Sequence, residues 1–311
     1  MSLFALIAAL LLEQLKPQRK YLWLPGYAGY FQHHFNSGEY SHGKIAWWLA
    51  VLPLLAAMVL VYWGLYYINP VLSIFFNALT LYLCMGFGRF NHYFTDIQQA
   101  LRSGHLDEAR ELLSGLSGRA SDELNAEEIA RVTIEASLLA LHRHLFGVVV
   151  WFTLFSLLGL GGAAGALLYR LGLGLCTHWT NEVNASESGD EQFDGYARKM
   201  CFRLEWLPVR LTAATFAIVG NFEDTVYCWR SQASSWPDSE TGILLASAAG
   251  ASGVRLGLPV MQDGKRLDRP ELGVGDKSGD SALQCAVRLA WRSLVFWLVM
   301  LFMLTLASLL G

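Results

Sequence analysis

Arg203–Asp224 reads RLEWLPVRLTAATFAIVGNFED, an apolar run with charged residues near both ends. Glu205 lies near its start, and Arg210 lies at the head of its most apolar part. An arginine beside so apolar a run is costly in lipid, so Arg210 is expected to face protein, water or an anionic head group. Two interpretations stay open. The stretch is either an interfacial helix whose arginine reaches the membrane surface, or one wall of a polar site at that surface.

The composition of the whole chain indicates a polytopic membrane protein. Of the 311 residues, 54% are hydrophobic and only 16% are charged, against about 25% charged residues in soluble domains. The 11 Trp and 17 Phe suit the aromatic belts at membrane interfaces, so the lipid bilayer is an expected partner. A net charge of −3 does not favour nucleic acid as a partner. The five cysteines contain no CxxC pair, which indicates neither a disulfide framework nor a zinc site.

Apolar segments predict membrane spans at about 45–67, 71–87, 146–168 and 293–310, and a fifth crossing at 206–220 stays open. Ile68-Asn69-Pro70 predicts a sharp turn between the first two. The third span carries Gly161 and Gly165, whose spacing predicts a face for close helix packing. A polar helical segment is expected at 89–144, and polar loops are expected at 169–204 and 258–288. The predicted fold class is all-α, a polytopic helical integral membrane protein with four to five spans in one domain over 1–311.

Basic residues predict the orientation of the first spans. Residues 13–44 carry four Lys or Arg and residues 88–145 carry six, so the positive-inside rule places both segments in the cytoplasm. The remaining thirteen basic residues lie at 170–292, where the parity of the later spans is not determined. The sequence indicates no oligomeric state.

The helix that enters the third span carries Glu128, Arg131, Glu135 and His142 on one face. One interpretation is a solvated stripe with an Arg131–Glu135 ion pair. The other is a face of a site, with Glu135 as acid or base and His142 or His144 as a ligand or proton shuttle. Because the spacing of His142 and His144 does not suit one metal ion on one helix face, no metal site is predicted.

Four further charged residues are candidates for a site, Glu205 as an acid and Arg210, Arg255 and Arg269 as binding groups. Arginine supplies a fork of donors that suits phosphates and carboxylates. Arg255 follows a helix of small residues, where backbone could approach a ligand closely. Solvation in loops is the alternative interpretation of Arg255 and Arg269. The chain contains no GxxxxGK[ST], GxSxG or HExxH motif.

Several stretches resemble, in matching order, the CobD/CbiB family, in the branch that includes the AmpE membrane regulators. The resemblance is carried over nearly the whole chain by IEASLLALHRHLFGVVVWF, GAAGALLYRL, WLPVRLTA, AAGASGVRLGLPV and RPELG. It implies a multi-pass protein of the bacterial inner membrane. It also implies an adenosylcobinamide-phosphate synthase, a ligase that joins aminopropanol phosphate to a carboxylate of adenosylcobyric acid and uses ATP and magnesium.

The family pattern is matched only in part. The matching positions are Glu135, Trp206, Pro208, Arg210 and Arg269–Gly273. Family acids or amides are replaced at Leu139-Ala140, Arg143, Cys201-Phe202 and Glu205. Two functions therefore stay open. In the first, Glu135 and Glu205 are catalytic, and Arg210, Arg255, Arg269 and His142 bind a corrinoid or another anionic small molecule. In the second, the protein is an AmpE-like, non-catalytic membrane sensor whose same cleft binds a ligand or partner.

Overall fold

The computed structural model describes residues 2–15, 23–36, 39–118, 121–185, 193–262, 265–275 and 279–310. It is an all-α helical membrane protein with two very small β-ladders. The chain forms two compact units, the first from Met1–Gly86 and Phe146–Pro208 and the second from Phe87–Leu145 and Val209–Gly311. Nothing in the sequence pattern had indicated this division.

The helices are numbered in chain order within the described residues. They are α1 Ser2–Leu15, α2 Trp23–Phe35, α3 Tyr40–Ile68, α4 Pro70–Cys84, α5 Phe87–Arg102, α6 Leu106–Ser117, α7 Ala126–Leu141, α8 Gly147–Leu157, α9 Gly162–Ala185, α10 Phe193–Val219, α11 Phe222–Gln232, α12 Ser239–Ser252 and α13 Gly279–Leu310. A π-helical segment, His142–Phe146, joins α7 to α8, and a 3-10 turn, Ala233–Ser235, follows α11. The strands are β1 Leu256–Gly257, β2 Val260–Gln262, β3 Lys265–Leu267 and β4 Glu271–Leu272, paired antiparallel as β1 with β4 and β2 with β3.

Among the described residues, three continuous helical stretches are long and apolar enough to cross a membrane, Tyr40–Ile68, Ala126–Leu157 and Ser281–Ala307. The span predicted at 45–67 lies within the first of these, and the span predicted at 293–310 overlaps the last and lies within α13. The span predicted at 71–87 corresponds to the shorter apolar helix Pro70–Cys84. The open crossing at 206–220 lies in α10, which is not among the three long apolar stretches of the described chain.

The turn predicted at Ile68-Asn69-Pro70 is confirmed. Helix α3 ends at Ile68, and Pro70 is the first residue of α4. The side-chain oxygen of Asn69 accepts the N–H of Val71 at 2.9 Å and so caps α4. Proline fits there because the first helical N–H has no partner within the helix.

The predicted span at 146–168 is wrong, because the structure divides it into two helices. Helix α8 ends at Leu157 and α9 begins at Gly162. Between them Gly159 and Gly161 have φ angles of +73° and +84°, in the left-handed region that glycine adopts at low cost. Gly161 is therefore part of a turn. It does not share a helix face with Gly165, although the GxxxG spacing had predicted that it would.

Close packing in the first unit comes from this turn instead. A Cβ on Gly165 would lie 2.1 Å from the carbonyl oxygen of Trp151, so glycine lets α9 approach α8. The side-chain oxygen of Asn77, on α4, accepts the Ala163 N–H at 2.9 Å and caps the start of α9. Small residues and a neutral amide thus fix three helices together.

The loop predicted at 169–204 is also corrected. Described residues in this range belong to α9 and α10, while 186–192 lie outside the described residues. The helices form because their aromatic residues pack in the first unit. Tyr169, Trp179 and Phe193 are fully buried, and the Trp179 indole N–H donates to the carbonyl of Ala28 at 3.0 Å. Polar residues occupy the remaining positions, so the apolar face was not recognised in the sequence and the segment was predicted as a loop.

The predicted loop at 258–288 contains the short strands β2, β3 and β4 and the beginning of α13. Residues 263–264 and 276–278 of that range lie outside the described residues. In the second unit α5, α6 and α7 bury a small apolar core that includes Ile97, Leu113 and Ile129. Helix α7 begins with a capping box in which Asn125 and Glu128 bond each other's backbone N–H. This packing fixes the helix that carries Glu135.

Candidate functional site

Glu135 is a buried acid at the centre of the second unit. It lies on α7 and is 4% exposed. One carboxylate oxygen accepts the backbone N–H of Gly257 at 2.8 Å, and the other accepts Nη1 of Arg269 at 2.6 Å. Both donors stabilise the ionised carboxylate, and bonds between ionised groups are the stronger kind. The expected local Arg131–Glu135 pair is thus replaced by a partner 134 residues away.

Arg269 holds the loop that faces Glu135. Besides the bond to Glu135, its Nε donates to the carbonyl of Leu258 and its Nη2 to that of Gly257, both at 3.2 Å. The guanidinium carbon lies 5.7 Å from the centre of the Trp236 ring, within range of a cation–π contact. Arg269 is therefore fixed on several sides, which reduces the entropy that it would lose on binding a ligand.

The turn at Gly257 and Leu258 explains how backbone comes so close to Glu135. Gly257 has a φ of +74°, and a Cβ there would lie 1.9 Å from the carbonyl oxygen of Pro270. Leu258 also has a positive φ, of +64°, which is uncommon for a residue with a side chain. The pairing of β1 with β4 and the bonds from Arg269 hold this strained turn in place.

A cavity of about 500 Å³ opens beside the Glu135–Arg269 pair within the second unit. Its lining includes Glu135, Leu139, Ala140, Arg143, His144, Trp236, Thr241 and Arg269. The positions at which the family resemblance implies an acid and an amide hold Leu139 and Ala140, and a further acid position holds Arg143. The replaced residues therefore share one cavity with the retained Glu135 and Arg269.

His142 is placed beside this cavity but does not belong to its lining. It begins the π-helical segment His142–Phe146 and is 1% exposed. Its Nδ1 lies 3.0 Å from the hydroxyl of Thr212, on α10, while Nε2 is buried without a hydrogen-bond partner. The next two residues, Arg143 and His144, do line the cavity. The structure thus favours Arg143 and His144 over His142 as ligand-binding groups.

Arg210 forms a separate buried ion pair. Its Nη1 donates to both carboxylate oxygens of Glu240, at 3.1 and 3.3 Å. Glu240 is 2% exposed and lies in the first turn of α12. Through this pair Arg210, in the segment Arg203–Asp224, faces protein. Protein was one of the environments predicted for it, because an arginine is costly in lipid.

Arg255 and Glu205 are not among the residues that line the cavity in the described chain. Arg255 is exposed, donates from Nε to the carbonyl of Gly275 at 2.7 Å, and lies 3.4 Å from a carboxylate oxygen of Glu271. Glu205 is buried and belongs to the first unit, on the early part of α10. The roles predicted for these two residues stay predictions.

Three residues escaped the sequence analysis: Trp236 and Gly257, which contact Arg269, and Glu240, which belongs to the separate pair with Arg210. An acid in the first turn of a helix ordinarily interacts with the helix dipole or with solvent. The sequence therefore did not indicate that Glu240 is buried. Gly257 lies between Leu256 and Leu258, and its positive φ has no marker in the sequence beyond the glycine itself. Trp236 precedes a proline in a polar stretch, which resembles an ordinary turn.

The described lining does not fit a magnesium ion. Magnesium prefers several oxygen ligands, carboxylates above all. Glu135 is the single carboxylate among the described residues of the lining, and both of its oxygens already accept hydrogen bonds. Over the described part of the chain, no group of three or more His, Cys, Asp or Glu side chains could hold a metal ion. No chemical step is therefore assigned to a metal here.

Comparisons with known proteins agree on one family. The family model described as CobD/Cbib protein matches residues 4–172. The cobalamin biosynthesis protein CobD of Stutzerimonas stutzeri (strain A1501) is 32% identical over 310 residues, which cover 97% of this chain and 97% of that protein. The CobD of Chromobacterium violaceum is 33% identical over 250 residues, or 80% of this chain and 76% of that protein. No solved structure matches the chain.

Proposed function

This chain belongs to the CobD/CbiB family of cobalamin biosynthesis proteins, and we propose that it acts in the amide-forming step. In that step the amine of aminopropanol phosphate attacks an activated carboxylate of adenosylcobyric acid. The carboxylate is activated by phosphoryl transfer from ATP, which leaves ADP. A C–N bond then forms while the C–O bond to that phosphoryl group breaks, inorganic phosphate departs, and the amine nitrogen loses one proton. We place the protein in the bacterial inner membrane as a multi-pass protein, in keeping with its three long apolar helical stretches.

The observation that carries the proposal is the cavity beside Glu135 and Arg269. Its volume of about 500 Å³ lies in the range of about 300–1,000 Å³ that is typical of small-molecule sites. A small phosphorylated amine fits such a volume. A corrinoid has a much larger macrocycle and would present only its reacting side chain there. Arginines suit the phosphate because their forked donors match its oxygens.

Glu135 has a positioning role in this proposal. Its two carboxylate oxygens already accept hydrogen bonds, from Arg269 at 2.6 Å and from the Gly257 N–H at 2.8 Å. It holds Arg269 and the turn at Gly257 beside the cavity. His144 also lines the cavity, and a neutral imidazole can accept the proton that the amine releases.

A second function is favoured by the same lining, a non-catalytic protein that binds an anion, like the AmpE membrane regulators. Glu135 is the single carboxylate in the described lining and is already engaged. Such a site binds and signals without chemistry. The two functions share the cavity and differ in whether an amide forms.

Complementation distinguishes the two functions. A cobalamin auxotroph that lacks its own CobD/CbiB enzyme is supplied with cobyric acid and with this chain, and membrane fractionation verifies insertion. Growth on the wild type, together with cobinamide phosphate in extracts, supports the ligase. Wild-type protein that is present in the membrane and gives neither growth nor product would reject the ligase in favour of the binding function.

A variant pair then tests the site. Glu135→Gln removes the charge that fixes Arg269 and is expected to abolish growth. Glu128→Gln lies on the same helix, and glutamine can replace glutamate in its capping box, so it is expected to grow like the wild type. Equal growth of both variants would remove Glu135 from the mechanism.

A further inference from the structure

A narrow apolar groove lies within the second unit, and its described lining shares no residue with that of the cavity beside Glu135. Its walls come from α5, α7 and α13. The α13 wall extends from Ala286 to Leu294, which is about 12 Å along the helix axis. Apart from the hydroxyl of Ser137 and the indole N–H of Trp291, the described lining consists of apolar side chains. The groove therefore suits an apolar chain better than a polar substrate.

Two walls of the groove belong to helical stretches that can cross a membrane. Helix α7 lies in the stretch Ala126–Leu157, and the α13 wall lies in Ser281–Ala307. The groove has a volume of about 60 Å³, far below the range of about 300–1,000 Å³ that is typical of small-molecule sites. It is thus too small to enclose a corrinoid, whereas a flexible hydrocarbon chain can lie along it.

Two arginines lie at one edge of the groove, where the apolar run of α13 begins. Arg288 and Arg292 are exposed, and Arg288 precedes Trp291 by three residues, which places it about 60° from Trp291 around the helix axis. Arg288 donates from Nη2 to the sulfur of Cys285 at 3.1 Å. No ion pair joins either arginine to a carboxylate of the described residues. Such side chains reach the membrane surface, where they attract anionic lipids.

Trp291 lies between the groove and the arginines. It lines the groove and is 51% exposed. Tryptophan is enriched at the level of the lipid head groups, because its ring is apolar and its N–H is polar. The order of apolar groove, indole and guanidinium groups therefore follows the order of chain, interface and head group in a phospholipid.

Ser137 supplies a second observation that points to a ligand. Its hydroxyl oxygen is buried and has no hydrogen-bond partner. A buried hydroxyl ordinarily finds a partner, and the apolar side chains of the described lining offer none. The ester carbonyl of a phospholipid, which lies between its head group and its chains, is an acceptor for this hydroxyl.

We propose that the groove binds one anionic phospholipid, with an acyl chain along α7 and α13 and the phosphate at Arg288 and Arg292. The apolar lining recognises the chain, and the two guanidinium groups supply the preference for an anionic head group. This site differs from the general contact of the spans with lipid, because it is selective for charge and takes one molecule.

Native mass spectrometry of the full-length protein in detergent tests this site. The protein is titrated with phosphatidylglycerol or with phosphatidylcholine of the same acyl chains, and the fraction that carries one lipid gives a Kd for each. Each arginine near the membrane surface contributes about a fivefold preference for anionic lipid. Phosphatidylglycerol is therefore expected to bind at least about tenfold more tightly. Equal Kd values for the two lipids would overturn the proposal.

A pair of double variants tests the arginines. Arg288→Gln with Arg292→Gln is expected to bring the two Kd values within about twofold of each other. Arg255→Gln with Arg266→Gln is the matched control, because it removes the same charge from exposed positions of the same unit that do not line the groove. An equal loss of preference in both double variants would assign the effect to net charge and overturn the proposal. If the first double variant does not fold, Arg292→Gln alone decides, and an unchanged preference there would overturn it.

A second pair of variants tests the groove itself. Ala290→Phe places a ring in the α13 wall and is expected to weaken phosphatidylglycerol binding at least about tenfold. Val299→Phe is the matched control, since Val299 is exposed and lies about 180° from Ala290 around the helix axis. Unchanged binding by a folded Ala290→Phe protein would overturn the proposal. A changed oligomeric state with unchanged lipid binding would assign the groove to a second copy of the chain instead. If Ala290→Phe does not fold, Ala290→Leu is judged by the same criterion.

The lipid site does not rest on the proposed function, and the outcomes keep the two apart. Protein that fails complementation but prefers phosphatidylglycerol would reject the ligase and support the lipid site. Protein that supports growth but binds both lipids equally would support the ligase and reject the lipid site.

Discussion

In the first unit, the amide of Asn77 caps the N–H of Ala163 at 2.9 Å, and so a neutral side chain joins two helices that are distant in sequence. In the second unit, the carboxylate of Glu135 meets the guanidinium of Arg269 at 2.6 Å, and so a charged pair joins a helix to a strand turn. Both bonds are buried, and both link elements that the sequence separates widely. They differ in the group that is left unpaired when one partner is removed, which is a neutral polar group in the first unit and a charged group in the second.

The difference has an energetic consequence. Removing one partner of a neutral buried bond costs about 1–3 kcal/mol, whereas removing one partner of a buried ion pair costs about 3–5 kcal/mol. The second unit also contains the buried pair of Arg210 and Glu240. The unit that contains the cavity is therefore the more sensitive to single changes of charge. That sensitivity is expected where charges are held ready for a ligand.

The largest effect on stability is expected for Glu135→Gln. The change leaves Arg269, whose side chain is 19% exposed, without its counter-charge, so the free energy of unfolding should fall by about 4 kcal/mol. The apparent midpoint of thermal unfolding in detergent measures this. Glu128→Gln should stay within about 0.5 kcal/mol of the wild type, because its capping box survives. Similar midpoints for the two variants would break the contrast between the units.

The next effect is expected for Gly257→Ala. The new Cβ would contact the carbonyl oxygen of Pro270, and the φ of +74° adds strain. A total loss of about 3 kcal/mol is expected from overpacking and the left-handed backbone together. Gly104→Ala is the matched control, because its φ of +76° is the same and nothing lies within 4 Å.

Gly104→Ala should cost only about 1 kcal/mol, from backbone strain alone. The difference in unfolding midpoint between the two variants measures the close approach at Gly257. No difference would mean that the turn relaxes freely and does not hold Arg269 in place.

A smaller effect is expected in the first unit, for Asn77→Ala. The change leaves the Ala163 N–H without its acceptor, at a cost of about 2 kcal/mol. Leu79→Ala changes an exposed residue of the same helix and should cost less than about 0.5 kcal/mol. Thermal unfolding again gives the measurement. An Asn77→Ala loss as large as that of Glu135→Gln would contradict the energetic difference between the units.

The smallest effect is expected for Arg255→Gln. Arg255 and Glu271 are both about half exposed, at 49% and 47%. Exposed ion pairs contribute about 0–1 kcal/mol, so the unfolding midpoint should change little. Salt screens such pairs, so this small change should shrink further as the salt concentration rises. A loss above about 2 kcal/mol would show that Arg255 stabilises the β1–β4 pairing through more than its surface pair.

The sequence identified charged residues of interest better than it identified their ion-pair partners. Glu135 and Arg269 were both singled out, yet their pairing connects positions 134 residues apart, and no local pattern encodes such a contact. The local pattern instead suggested Arg131 as the partner of Glu135, because the i,i+4 spacing is visible in one dimension. Glu240 as the partner of Arg210 was missed for the same reason.

Some helix boundaries were predicted wrongly, because hydropathy averaged over a window does not detect the backbone geometry that ends a helix. The apolar run 146–168 predicts one span, but the positive φ angles of Gly159 and Gly161 end α8 and start α9. The segment 169–204 predicted a loop because its polar residues outweigh a narrow aromatic face that includes Trp179. The all-α membrane fold class was confirmed, since composition alone carries that signal.

The π-helical segment His142–Phe146 has a consequence for how such chains diverge. A π turn holds one residue more than an α turn, so it is the structural trace of a single-residue insertion. Five residues of a π turn carry the chain round by about as much as four residues of an α-helix. Deleting one codon within His142–Phe146 would therefore restore an α-helical turn and leave the residues before and after it on nearly the same faces. An alignment with a relative that lacks the extra residue is thus in register only when it places a gap within this turn. Without that gap, each later residue of the helix is paired with one about 100° away around the axis.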